Sequence, residues 1–153
     1  FGMKVLAYDP YVKELPQEFK DYVTLCSEEE VITQCDFLSL HLPLTDETRG
    51  MISAPQLASM RAGAYVINAA RGGIVSEKDL YDALVSGHIA GAAMDVSEVE
   101  PMATDNPLLT LDNVIVTPHI GMYSKEAIGA VSLICAQNAA ACVEGKPLQF
   151  QVV

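Results

Sequence analysis

Apolar residues recur along this chain in short continuous runs and, between them, at helical spacing. Lys4-Val5-Leu6-Ala7-Tyr8 is a short run that stops at Asp9-Pro10, which predicts a buried strand ending in a turn. Ser27 followed by Glu30 is the pattern of a capping box, so a helix is predicted over residues 27–34. Phe37-Leu38-Ser39-Leu40-His41 is the next strand, ending at Leu42-Pro43. Ser53 and Gln56 repeat the capping pattern, with Pro55 early in the helix where its missing N–H removes no bond. Ala64-Tyr65-Val66-Ile67-Asn68 is a further strand, and it exits through Arg71-Gly72-Gly73. Ser76 starts a helix with Leu80, Tyr81, Leu84 and Val85 on one face, stopped by Gly87. Residues 90–96 and Val114-Ile115-Val116 read as two more strands.

Short apolar runs separated by amphipathic helices indicate parallel β-α-β units, with helices covering both faces of the sheet. The expected fold class is therefore α/β with a doubly wound parallel sheet. A last helix over residues 124–143 sets Ala127, Val131, Ile134, Cys135 and Cys142 on one stripe, and Gly145 ends it. A chain of 153 residues is expected to form one domain with a substantial core. Half the residues are hydrophobic and 19% charged, a composition of folded rather than disordered chains.

Charge narrows the partners. The formal net charge is -11, and the 9 Lys and Arg form no basic run, which argues against nucleic acid. No continuous apolar run approaches the ~20 residues of a bilayer span, and Phe1-Gly2-Met3-Lys4 lacks the layout of a signal peptide. The expectation is a cytoplasmic protein with no membrane partner. Cys26, Cys35, Cys135 and Cys142 show no C-x-x-C pair and no His at zinc-site spacing, so four reduced thiols packed as small hydrophobes are expected.

In open α/β sheets, ligands bind off the carboxyl ends of the strands, where this sequence places Asp9, His41, Arg71, Asp95 and His119. Asp9 is suited to accept hydrogen bonds from an adenosine ribose, and its charge would disfavour a 2′-phosphate, so NAD is favoured over NADP. An Asp before Pro10 also initiates turns. Arg71, beside two glycines, suits a bidentate grip on a carboxylate, although a loop Arg is equally compatible with plain solvent exposure. His119 lies in Thr117-Pro118-His119-Ile120-Gly121. A carboxylate beside it would favour the imidazolium and suit general acid–base catalysis. Glu98 and Glu100 compete for that role by composition alone. A metal site of Asp95, Glu100 and His119 would require the three to converge, and no metal is expected.

Several segments together resemble the D-isomer-specific 2-hydroxyacid dehydrogenases. They are Val66-Ile67-Asn68-Ala69-Ala70-Arg71-Gly72-Gly73-Ile74-Val75, Ala92-Ala93-Met94-Asp95-Val96, Glu100-Pro101 and Thr117-Pro118-His119-Ile120-Gly121, in order, preceded by His41-Leu42-Pro43-Leu44-Thr45 and Thr48-Arg49-Gly50. The resemblance implies a Rossmann-type domain of an NAD-dependent enzyme that moves hydride between nicotinamide and C2 of a small D-2-hydroxy or 2-keto acid. It implies that Arg71 orients the substrate, His119 exchanges the proton and Glu100 supports His119. It further implies that Asp9 binds ribose, Leu42 and Pro43 line the adenosine side, and Ala69, Ala70 and Asp95 flank the nicotinamide, with Gly121 also on the cofactor. Leu42 and Ala69 would otherwise read as packing residues.

Departures qualify the resemblance. The family's G-x-G-x-x-G loop and first strand are not in this sequence, and neither is the substrate domain, so the sheet is expected to be incomplete and the chain alone inactive. Residues 1–143 are taken as the partial NAD-binding domain, with 144–153 a tail returning to the substrate domain. Met122-Tyr123 stand where many relatives carry small or hydroxyl residues. Glu100 argues against the formate dehydrogenase branch, which by resemblance carries an amide there. The resemblance also implies a homodimer. The competing function is an NAD(H)-sensing corepressor of the same fold; retention of Arg71, Glu100 and His119 together favours the enzyme.

Overall fold

The computed structural model describes residues 2–151 and divides into two compact units, Phe1–Pro118 and His119–Val153. The first contains β1 (Val5–Ala7), β2 (Val23–Leu25), α1 (Glu28–Gln34), β3 (Phe37–Leu40), α2 (Ala54–Ser59), β4 (Ala64–Asn68), α3 (Glu77–Val85), β5 (Ile89–Met94) and β6 (Val114–Val116). The second contains α4 (Lys125–Val143). Every strand pairing is parallel, β1 with β2 in one sheet and β3-β4-β5-β6 in order in another. The α/β parallel architecture is as expected.

Helix starts follow local chemistry. Ser27 N–H donates to Glu30 Oε2 at 2.9 Å while Glu30 N–H donates back to Ser27 Oγ at 3.2 Å, closing the capping box of α1. Ser76 Oγ accepts from Asp79 N–H at 3.3 Å to cap α3, and Gly87 beyond its end takes a φ of 76°. The one strand the pattern does not announce is β2, since Val23-Thr24-Leu25 is too short to show an alternation.

Strand register sorts the side chains by face. Leu38, Val66 and Ala92 stand in line, as do Leu40, Asn68 and Met94, and all are buried with Leu57 of α2 and Leu80 and Leu84 of α3. The alternate positions differ from expectation. Phe37, Tyr65 and Ile115 are 55%, 41% and 68% exposed, with Phe37 stacked on Tyr65 at 5.0 Å between ring centroids, so helices bury only one face here. The first strand is likewise not buried: Val5 is exposed and Leu6 and Ala7 half-buried, because among the described residues β1 pairs with β2 alone.

The last helix corrects two further expectations. Its 19 residues are long and apolar enough, by length and composition, to cross a membrane, although Ser132, Gln137 and Asn138 break up any continuous apolar run. None of its residues is buried, and Val131, Cys135 and Cys142 of the expected stripe are exposed. Only Cys26 and Cys35 are partly packed, and burial pushes both thiols up from their ordinary range. Gly145 (φ 65°) follows the helix, and Asn138 exchanges two hydrogen bonds with the backbone of Gln149, which folds the tail back on α4.

Candidate active site

The register of the four-stranded sheet aligns Leu40, Asn68, Met94 and Val116 across β3 to β6. The chain therefore leaves all four strands at the same edge. Two ladder bonds continue beyond the strand ends: Asp95 N–H donates to Asn68 O and Thr117 N–H to Met94 O, each at 2.9 Å. Thr117 Oγ1 then donates to Asp95 Oδ1 at 2.5 Å, which fixes the carboxylate at the β5 exit.

The loop that carries Arg71 is held from inside. Asn68 is fully buried, its Nδ2 donates to Arg71 O at 3.0 Å, and its Oδ1 accepts from Ala70 N–H at 3.1 Å. A buried amide satisfied by two backbone groups of one turn leaves that turn little freedom. Ala69 and Arg71 are exposed and Ala70 is buried. Arg71 Nη1 donates to Ala70 O at 2.7 Å. Gly72 is required by contact: a Cβ there would lie 1.8 Å from Ser97 O and 2.4 Å from Ser97 C.

The segment after β5 separates the two competing acids. Glu98 N–H donates to Glu77 Oε1 at 2.6 Å and Glu77 N–H donates to Glu98 Oε1 at 3.0 Å, so Glu98 caps α3. Glu100 Oε1 accepts from Ser97 N–H at 3.4 Å, and the Glu100–Pro101 peptide is cis. Arg71, Asp95 and Glu100 thus all follow strands of one sheet edge.

The other expected residues are distributed as follows. Asp9 follows β1 in the two-stranded sheet, where its Oδ1 accepts from Tyr11 N–H at 2.8 Å and Val12 N–H at 3.3 Å, the turn that Asp-Pro suggests. Leu42 is half-buried against the core, and exposed Pro43 accepts from Thr48 Oγ1 at 2.8 Å. His41 Nε2 lies 2.8 Å from Ser39 Oγ. His119 and Gly121 belong to the second unit, where His119 is exposed and holds the left-handed conformation at φ 53°. Among the described residues no group of three His, Cys, Asp or Glu could hold a metal ion.

Sequence reasoning passed over Asn68, Gly72, Glu77 and Thr117 as supports. Asn68 carried a signal, a lone polar residue closing an apolar run. Glu77 carried none, because its partner comes from a different loop.

Residues 1–121 match the family described as D-isomer specific 2-hydroxyacid dehydrogenase, NAD binding domain. The chain is 44% identical over 146 residues to a D-3-phosphoglycerate dehydrogenase of Methanocaldococcus jannaschii, covering 95% of this chain and 28% of that protein. It is 47% identical over 131 residues to a hydroxypyruvate reductase of Thermotoga maritima, covering 83% of this chain and 41% of the relative. The crystal structure of D-lactate dehydrogenase with NAD+ from Lactobacillus jensenii superposes with a TM-score of 0.85 at 33% identity, over 98% of this chain and 48% of that one. The chain thus spans less than half the length of these relatives. With the Arg71 and Asp95 motifs lying on adjacent exits of one parallel sheet, the chain belongs to the NAD-binding domain family of the D-isomer-specific 2-hydroxyacid dehydrogenases.

Proposed function

We propose that this chain forms the coenzyme-binding part of an NAD-dependent oxidoreductase acting on a small D-2-hydroxy or 2-keto acid. One observation carries the reading. In a member of this family, Arg71, Asp95 and Glu100 leave adjacent strands at one sheet edge. The residues also suit the coenzyme: exposed Asp9 ends β1, and exposed Ala69 and hydrogen-bonded Asp95 stand side by side beyond β4 and β5. Bound nicotinamide supplies or accepts the hydride.

The chain's own groups handle charge and protons. Reduction of a keto acid builds negative charge on the carbonyl oxygen, which the Arg71 guanidinium stabilises while also orienting the carboxylate. By family resemblance His119 gives that oxygen its proton, with Glu100 as its supporting carboxylate. In oxidation the same groups run in reverse. The left-handed backbone at His119 costs about 1 kcal/mol and occurs at functional positions more often than elsewhere.

Relatives named for phosphoglycerate and hydroxypyruvate suggest three-carbon acids as substrates. The full-length protein is proposed to be a cytoplasmic homodimer, which light scattering and cell fractionation would check. The deciding experiment is NADH oxidation by the full-length protein against glyoxylate, hydroxypyruvate, phosphohydroxypyruvate and pyruvate, with His119→Ala alongside. Turnover on one acid, abolished by the substitution, is expected. Tight NADH binding with no turnover on any acid would replace the enzyme with a sensor.

A further inference from the structure

The backbone of Ser97 and Glu98 is touched from three directions. Gly72, next to Arg71, presses on Ser97 so closely that no Cβ fits between them. Ser97 N–H donates to Glu100 Oε1. Glu98 is bound on both its N–H and its carboxylate by Glu77, the first residue of α3. Two residues of backbone therefore lie between the loop of Arg71 and the carboxylate of Glu100.

We infer that Glu77 is a positioning residue for the reaction: by gripping Glu98 it holds the platform that sets Arg71 and Glu100 relative to each other. The inference rests on the function proposed above. The grip is built from complementary needs. The N–H of Glu77 is one of the unpaired donors of a helix start, and the Glu98 carboxylate satisfies it from 21 residues away. The Glu98 N–H would otherwise have no partner in a strand, and Glu77 Oε1 accepts it at 2.6 Å.

The carboxylates of Glu77 and Glu98 are drawn together here by each other's backbone donors. The Glu98 carboxylate is charge-compensated by the Glu77 N–H at the positive end of α3 and the Glu77 carboxylate by the Glu98 N–H, and Glu77 Oε2 takes a further bond from Asn106 Nδ2 at 2.7 Å. Asn106 in turn accepts from Leu108 N–H at 3.0 Å, and Leu108 is buried. The anchor is rigid, because α3 is pinned to the sheet by fully buried Leu80 and by Leu84. A solvated acidic loop would show none of these exchanges between distant segments.

The test uses the full-length enzyme and measures kcat, KM and NADH affinity for Glu77→Ala, Glu77→Gln, Glu100→Gln and the Glu77→Ala/Glu100→Gln double variant. Glu77→Ala is expected to lower kcat about tenfold, a modest share of what misplacing a reacting group costs, with NADH affinity unchanged. Glu77→Gln keeps an oxygen facing the Glu98 N–H and is expected to recover most of the loss. In the Glu100→Gln background the alanine substitution should cost less than about twofold, since a group already disabled cannot be misplaced further. The same tenfold loss in both backgrounds, or full kcat in Glu77→Ala, overturns the inference. Full kcat in Glu100→Gln alone overturns the role of Glu100 itself, a failure separable from that of Glu77.

Discussion

Replacing Gly72 by alanine in the full-length protein, assayed as the dehydrogenase proposed above, tests how the Arg71 loop is seated. The added Cβ would sit 1.8 Å from Ser97 O, 2.4 Å from Ser97 C and 3.1 Å from Glu98 N, all of them backbone atoms that no rotamer change can clear. Bringing the first contact out to ordinary separation requires a shift of more than about 1 Å, enough for a loss on the order of 10²-fold when it falls on a catalytic group. Neither side has slack. Ser97 is buried and its neighbour is tied to α3, while Asn68 holds the loop through Ala70 and Arg71. Overpacking of this kind costs about 1–3 kcal/mol in stability. Gly72→Ala is therefore expected to melt several degrees lower and to lose roughly 100-fold in kcat/KM, measured by differential scanning fluorimetry and NADH oxidation. Gly87→Ala is the control: its φ of 76° is strained but nothing lies within 4 Å of its Cβ. It should lower stability by about 1 kcal/mol and spare kcat/KM. A Gly72→Ala enzyme with wild-type melting and kcat/KM would refute the close approach and the coupling built on it.

Three further outcomes follow from packing and titration. Leu80 is fully buried beneath α3, so Leu80→Ala should reduce unfolding free energy by about 3 kcal/mol in urea titration; a loss under about 1 kcal/mol would contradict that packing. The N–H and hydroxyl of Ser27 hold the Glu30 carboxyl below its ordinary 4.5. Its contribution to stability is thus present above the unfolded carboxyl value and lost as pH falls through the lower folded one. The stability gap between wild type and Glu30→Ala should narrow below pH 4.5, and a gap that widens in acid would reverse the assignment. Burial raises the Cys35 thiol while Cys135 and Cys142 are exposed, so iodoacetamide at mildly alkaline pH should label the latter two first, as read by peptide mass mapping. Early labelling of Cys35 would show that it is not packed against the core.

Most elements were legible because the signals that make them are local. Ser27 with Glu30, and Ser76 ahead of Leu80 and Leu84, announce α1 and α3 through bonds that close within one helical turn. The apolar runs of β3, β4, β5 and β6 are visible for a similar reason, since each is complete within a few consecutive residues. The order of the Arg71, Asp95, Glu100 and His119 motifs also lies in the sequence, and it named the family. What escaped depended on partners far away along the chain. Whether a strand position is buried is settled by what covers it, and exposed Phe37 and Ile115 are as apolar as buried Leu38 and Val66. Composition left Glu98 and Glu100 equivalent. Only the packing of the β5 exit against α3 assigned Glu98 to the helix and Glu100 to the Ser97 turn. Likewise the need for glycine at position 72 arises from Ser97, which parallel pairing of β4 and β5 brings alongside. Local hydrogen bonding and periodicity are written residue by residue, whereas the geometry of the site is a product of strand register, which exists only once distant segments have met.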